Sequence, residues 1–252
     1  MNKIKSKFIM IIVLLIVFIS SSYITLDLAR LSVIKSELMY KRLLYTDLAK
    51  LIVIILSATL IFIIGKDGLS SIDTTKLKLI YIFIILADFS LVMLENAYLG
   101  IFLFALVQVG LIFRNGSGIL VKFKNGELKL LRSKLFINTI LSTIFGLVVI
   151  LNLFSSLLKD QLLLYFMVSY ALILSISLWT AIANPILGLF PRLNSILISI
   201  GMILFVLCDL NVGLSFALKL GTGKIIADSI VWIFYTPALT LVALSGYNYH
   251  QK

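Results

Sequence analysis

Residues 196–213 read ILISIGMILFVLCDLNVG, and residues 82–94 read IFIILADFSLVML. Both runs are almost wholly apolar, and each carries one aspartate, Asp209 in the first and Asp88 in the second. In the helical conformation, such runs cross much of a hydrocarbon core about 30 Å thick. A carboxylate at that depth costs at least a few kcal/mol, so it usually faces a bundle interior or a wet cavity. The two stretches therefore predict membrane-spanning helices that carry a functional site.

The composition of the whole chain is that of a membrane protein. Of its 252 residues, 61% are hydrophobic and 13% are charged, whereas about 25% of the residues in soluble domains are charged. The mean hydropathy is +1.15. The formal net charge is +11, but the basic residues lie in short segments that flank apolar runs, as in membrane proteins with positive-inside topology. We therefore expect no nucleic-acid partner.

Eight apolar runs are long enough to be predicted as membrane-spanning helices. They are residues 8–25, 48–65, 77–94, 98–113, 135–158, 161–183, 195–214 and 225–247. The predicted fold class is all-α, a polytopic helical bundle that forms one transmembrane domain over residues 1–252. The connection 115–134 contains the Gly-rich turn signals NGSG and NG, and it predicts a small extramembrane hairpin.

The distribution of Lys and Arg predicts the orientation of the bundle. Eight spans place both termini on one side of the membrane. Of the 22 Lys and Arg residues, 14 lie in segments on that side. Because basic residues concentrate in cytoplasmic loops, we expect a cell-membrane protein with cytoplasmic N- and C-termini.

Residues that commonly bind metals or act as nucleophiles are scarce. The chain has one cysteine, Cys208, and one histidine, His250. This excludes a disulfide framework and makes a Cys- or His-ligated zinc site improbable. No Gly-rich phosphate loop or Ser-His-Asp arrangement is present. We predict a site without metal or cofactor, in which carboxylates perform the chemistry.

The two aspartates are predicted to lie at similar depth. At 1.5 Å per residue, Asp88 lies about 16 Å and Asp209 about 20 Å from the same membrane boundary. Three further polar residues could line a cavity beside them and contact a substrate. These are Lys50 near the start of the second span, Gln108 in the fourth and Tyr235 in the eighth.

Five stretches of the chain resemble one known family. They are AKLIVIILSATL around Lys50, IILADFSLVML around Asp88, LGIFLFALVQVGLIF from Gly100, ISIGMILFVLCDLNVGL around Asp209 and the Tyr-containing last span WIFYTPALTLVALSGY. Their order resembles that of the YhhN-type eight-helix membrane proteins, the lysoplasmalogenase family. Ala87, Cys208 and Gln108 stand where the family tends to have Gly, Ser and His, respectively.

The resemblance implies an activity and a substrate class. It implies hydrolysis of the vinyl-ether bond of lysoplasmalogens, which yields an aldehyde and a glycerophospho-ethanolamine or -choline. Asp88 and Asp209 would then be the catalytic pair. The implied partners are a lysophospholipid-like amphipathic substrate and the surrounding membrane lipids.

Two carboxyl groups suit this reaction. Vinyl-ether hydrolysis begins with proton transfer to the β-carbon, which gives an oxocarbenium ion that water captures before the hemiacetal collapses. One carboxyl group must be protonated, and the other can stay ionised to stabilise the cation and activate water. The sequence leaves open which aspartate plays which role.

Two other functions fit the same residues. A small transporter or proton-coupled permease would use intramembrane aspartates as a proton relay. A non-catalytic membrane protein would use them to hold helices together by hydrogen bonds. The lipid headgroup and the oligomeric state are undetermined at this level.

Overall fold

A computed structural model describes residues 3–32, 44–125, 134–144, 146, 161–218 and 222–249. The described helices are α1 (Lys3–Ser32), α2 (Leu44–Ile64), α3 (Ser71–Val92), α4 (Ala97–Asn115), α5 (Ile119–Lys124), α6 (Lys134–Ile144), α7 (Gln161–Leu187), α8 (Arg192–Ala217) and α9 (Thr222–Leu244). A short 3-10 helix, Gly65–Asp67, follows α2. In the described ranges the only β-type pairing is an isolated bridge between Gly68 and Tyr247.

Six of these helices, α1, α2, α4, α7, α8 and α9, are long and apolar enough to cross a membrane. Large apolar side chains project outward from them, and Phe18, Phe62 and Phe113 are each more than half exposed. Such a surface is stable against lipid and not against water. The prediction of an all-α integral membrane bundle is confirmed.

The two remaining predicted spans differ from these six. The span predicted at 77–94 lies on α3, which has 22 residues and carries Asp73, Lys76, Lys78 and Asp88. The span predicted at 135–158 begins on α6, and its residues 145 and 147–158 lie outside the described part of the chain. Six helices thus meet the length and composition expected of a span, against the eight predicted.

Six helices form a closed ring. In the order of their contacts they are α2, α3, α4, α7, α8 and α9, and α9 returns to α2. Helix α1 lies outside the ring, against α2 and α9. Helix α6 contacts the outside of α7, where Asn138 Nδ2 donates to Trp179 O at 3.2 Å and Trp179 Nε1 donates to Thr139 Oγ1 at 2.9 Å.

The contact between α8 and α9 depends on a glycine. A Cβ atom at Gly201 would lie 2.9 Å from Val242 Cγ2 and 3.4 Å from the carbonyl oxygen of Ala238. Because Gly201 has no side chain, the two helices approach closely there, as small residues allow in membrane bundles. This contact fixes α8 against α9, and these helices carry Asp209 and Tyr235.

The segment after α4 forms a short helix and not the predicted hairpin. Residues 119–124, ILVKFK, form α5 between the turn at residues 116–118 and Asn125. Leu120, Val121 and Phe123 are exposed on it. The hairpin prediction is therefore wrong for residues 115–125, and residues 126–133 lie outside the described part.

A buried ion pair closes one end of the bundle, which we call the Arg114 end. Arg114 is fully buried, and its Nε and Nη2 donate to the two carboxylate oxygens of Asp73 at 2.8 and 3.1 Å. Its Nη1 donates to Ser245 Oγ at 2.9 Å. These bonds join α4 to α3 and to the segment after α9. The fourth predicted span ends at residue 113, just before Arg114, whereas the structure places Arg114 inside the bundle.

Candidate functional site

Polar side chains from five of the six ring helices form two hydrogen-bonded groups inside the bundle. They are Asp88 on α3, Gln108 on α4, Tyr170 on α7, Asp209 on α8 and Tyr235 on α9. Four of these were singled out in the sequence, and Tyr170 was not. The structure therefore brings together four of the five predicted site residues.

Asp88 is bonded to the last helix. Its side chain is buried, and Tyr235 Oη donates to Asp88 Oδ2 at 2.5 Å. Helices α9 and α3 are not neighbours in the ring, so this bond crosses the interior. The Tyr235 ring makes edge-to-face contacts with Phe104 and Phe205 at centroid distances of 6.2 and 5.5 Å. Aromatic rings thus form one wall beside Asp88.

Asp209 lies in a more polar environment and is partly exposed. Tyr170 Oη donates to Asp209 Oδ2 at 2.6 Å. Gln108 Nε2 in turn donates to Tyr170 Oη at 3.4 Å. A hydrogen-bonded chain therefore runs from α4 through α7 to the carboxylate on α8.

The two carboxyl groups, which we call the aspartate pair, face the same interior region of the ring. The Tyr235 ring, whose hydroxyl bonds Asp88, contacts Phe205, and Phe205 lies one helical turn before Asp209 on α8. Each carboxyl group accepts one tyrosine hydrogen bond at Oδ2, and within the described ranges no group donates to either Oδ1. Two acidic groups, each with one oxygen available, can together give a proton to a ligand and accept one from water.

The pair lies away from the Arg114 end. At 1.5 Å per residue, Asp88 is about 6 Å from the C-terminal end of α3, and Asp209 is about 12 Å from that of α8. Both of these helix ends lie at the opposite end of the bundle, which we call the Lys50 end. The carboxyl groups are therefore within reach of that interface.

Lys50 is held by acidic groups other than Asp88 and Asp209. Its Nζ is 3.1 Å from Asp27 Oδ2 and 3.9 Å from Asp47 Oδ1. It also lies 5.3 Å from the centroid of the Trp232 ring, which contacts the Tyr235 ring at 5.5 Å. The structure therefore connects Lys50 to the site through Trp232, and not through a direct bond to Asp88 or Asp209.

Sequence reasoning missed Tyr170 for an identifiable reason. It lies in the run LLLYFMVSYALIL, where Tyr165 is an equally strong candidate. Tyr165 is largely exposed, whereas the Tyr170 hydroxyl donates to Asp209. Five residues are about 1.4 helical turns, which places the two tyrosines on different faces of α7. Only the position of α7 in the ring shows which face is internal.

No group of three His, Cys, Asp or Glu side chains that could hold a metal ion occurs in the described ranges.

The chain matches no protein-family model, no curated protein and no solved structure.

Proposed function

We propose that the chain is a membrane-embedded hydrolase of the lysoplasmalogenase type, a divergent member of the YhhN family. The observation that carries this proposal is that Asp88 and Asp209 both face the interior of the helical ring and are linked through the contact of Tyr235 with Phe205. Each is oriented by a tyrosine hydroxyl, and each keeps one oxygen free of hydrogen bonds from the described residues. An acid and a base close together are what vinyl-ether hydrolysis requires.

The proposed reaction proceeds in three steps. One carboxyl group transfers its proton to the β-carbon of the vinyl ether, and the C=C electron pair forms the new C–H bond and leaves an oxocarbenium ion. The other carboxylate removes a proton from water as the water oxygen bonds to the cationic carbon. The hemiacetal then breaks its C–O bond to the glycerol. The second carboxyl group gives the proton that it took from water to the glycerol oxygen, the hemiacetal hydroxyl returns a proton to the first carboxylate, and an aldehyde is released. One water is consumed, and no redox partner is needed.

The surroundings of the pair suit the cationic intermediate. The faces of aromatic rings attract positive charge, and Phe104, Phe205 and Tyr235 lie together on the Asp88 side. An ionised carboxylate within a few ångströms would stabilise the oxocarbenium ion further, because charge interactions are strong where water is excluded.

We further propose eight spans, with α3 and a helix that begins at α6 as the two beyond the six apolar ones. Both termini are then cytoplasmic and the Lys50 end faces outward, in the cell membrane. The aspartates lie in the half of the bundle nearer that end. A lysolipid in the outer leaflet would keep its headgroup at the interface while its vinyl ether reaches the pair.

The test measures aldehyde release from lysoplasmenylcholine by the purified protein in detergent. Asp88→Asn and Asp209→Asn should each lower kcat at least about 100-fold, because each removes a proton-transfer group. Asp228→Asn is the matched control. Asp228 is an exposed aspartate bonded to Ser215 at the Lys50 end, and its loss should leave the rate within about twofold.

Two other results would contradict hydrolysis by this aspartate pair. Proton-gradient-dependent uptake of a solute into vesicles, without any aldehyde, would favour a transporter. If both Asn variants retain full activity while unfolding at least about 1 kcal/mol more easily, the aspartates are structural.

A further inference from the structure

Only the nitrogen of the Gln108 side-chain amide makes a hydrogen bond with the described residues. The residue is fully buried, and its Nε2 donates to Tyr170 Oη at 3.4 Å. Its carbonyl oxygen, Oε1, is enclosed and accepts no hydrogen bond in the described part of the chain. Folded proteins rarely leave a buried carbonyl unpaired. A donor supplied by a ligand would satisfy it.

The position of this oxygen connects it with the aspartate site. Three other buried side-chain oxygens lack a partner in the described ranges, on Asn115, Ser177 and Asn194. Asn115 and Asn194 lie at the Arg114 end, and Ser177 is about 10 Å along α7 from Tyr170. Of the four residues, Gln108 alone is joined by hydrogen bonds, through Tyr170, to Asp209.

The oxygens that lack a hydrogen-bond donor on this side of the site are Gln108 Oε1 and, when Asp209 is ionised, Asp209 Oδ1, since Tyr170 donates its proton to Asp209 Oδ2. The ligand must therefore present an O–H or N–H group. In lysoplasmenylcholine the only such group is the hydroxyl at the second glycerol carbon, because the choline nitrogen is quaternary. That carbon is bonded to the carbon that carries the vinyl ether.

On the basis of the proposed function, we propose that Gln108 determines specificity by accepting a hydrogen bond from the free second hydroxyl of a lysolipid. An acyl group at that position removes the donor and leaves the buried carbonyl unpaired. Sites built to bind a substrate hydroxyl reject analogues that lack it, for this reason. The same bond holds the neighbouring vinyl ether close to Asp209.

Binding to the protein in nanodiscs tests this without relying on catalysis. The two probes are a saturated 1-O-alkyl-2-hydroxy-glycerophosphocholine, which has no vinyl ether to hydrolyse, and its 2-deoxy analogue. The wild type should bind the hydroxyl probe about 10- to 100-fold more tightly. Gln108→Met, which keeps the length of the side chain without the carbonyl, should discriminate less than about threefold. Gln161→Met, at an exposed glutamine of α7, should behave as the wild type.

Three results would overturn the proposal: equal binding of the two probes by the wild type, undiminished discrimination by Gln108→Met, or no binding of either probe. The first and third need no variant, so a folding defect in Gln108→Met cannot obscure them. Aldehyde release is measured separately. If the protein discriminates between the two probes but releases no aldehyde, only the hydrolase proposal is contradicted. If it releases aldehyde but binds the two probes equally, only the role of Gln108 is contradicted.

Discussion

Each aspartate of the pair is held by a tyrosine from a different helix. Tyr235 donates to Asp88 and Tyr170 donates to Asp209, in both cases to Oδ2. A tyrosine side chain has only two torsions, so a packed tyrosine fixes the carboxyl group that it bonds at little entropic cost. Oδ1 of each carboxyl group is thereby oriented before any ligand binds.

Replacing either tyrosine by phenylalanine tests this orientation. Tyr235→Phe and Tyr170→Phe should each lower the free energy of unfolding by about 0.5 to 2 kcal/mol, because a buried carboxyl group loses its donor. If the proposed reaction is correct, kcat should fall about 10-fold or more while KM changes little. Thermal unfolding in detergent and aldehyde release measure the two effects.

The control for these two variants is Tyr165→Phe. Tyr165 lies five residues before Tyr170 on the same helix. Tyr165 is 69% exposed, so its hydroxyl group should contribute within about 0.5 kcal/mol. A loss of stability in Tyr165→Phe equal to that in Tyr170→Phe would mean that the bond to Asp209 is not the cause.

For single residues, the sequence shows which charged side chains are unusual, but it does not show which residues bond to them. A single aspartate in an apolar run stands out because its burial is costly, which is how Asp88 and Asp209 were found. The partner of Lys50 could not be predicted in this way. Asp27 lies on α1, and its 3.1 Å contact with Lys50 depends on how α1 packs against α2.

Among the helices, α3 and α4 are joined at the Arg114 end by a buried two-point ion pair. Arg114 donates to both oxygens of Asp73, and its guanidinium group lies 5.4 Å from the centroid of the Phe190 ring. Such pairs are costly to break on one side, because the remaining charge is left buried without a partner. They fix the register of the helices that they join.

Removing one member of this pair should destabilise the protein strongly. Arg114→Met is expected to lower the free energy of unfolding by about 3 to 5 kcal/mol, and the double variant Arg114→Met with Asp73→Leu by clearly less than the sum of the single effects. The control Arg192→Met, at an exposed arginine, should cost less than about 0.5 kcal/mol. Additive single effects in a denaturation series would contradict a coupled pair.

The helices themselves were predicted more accurately than their ends. The apolar runs were placed on helices, but α3 begins at Ser71 and not near residue 77. Helix α3 includes a charged first turn, because Ser70 caps it and Arg114 pairs with Asp73 inside the bundle. The Gly-rich segment after α4 has turns on both sides of ILVKFK, and turns alone do not distinguish a hairpin from a short helix.

For the whole molecule, the up-and-down order of the helices makes the orientation of the bundle in the membrane testable. The turn after α4, with Ser117, lies at the Arg114 end, and Thr222 at the start of α9 lies at the Lys50 end. In a Cys208→Ser background, a membrane-impermeant thiol reagent should label Thr222→Cys from outside the cell and Ser117→Cys only from the cytoplasmic side. The reverse pattern would place the Lys50 end in the cytoplasm.

Composition predicts the class of the molecule, and only the structure gives its arrangement. An all-α membrane bundle follows from the hydropathy of the runs, because a lipid-embedded backbone must satisfy its hydrogen bonds internally. The closed ring, with α9 against α2 and α1 outside, follows from long-range contacts such as the close approach at Gly201. Those contacts depend on side-chain shape and leave no periodic signal in the chain.

The ring also sets an order of events during biosynthesis. Asp88 and the tyrosine that donates to it are 147 residues apart. At translation rates of about 5 to 20 residues per second, the carboxyl group emerges from the ribosome about 7 to 30 s before its donor. During that interval the acidic side chain lacks its native donor, and we expect α3 to be shielded from the acyl chains by the insertion machinery or by α2 and α4.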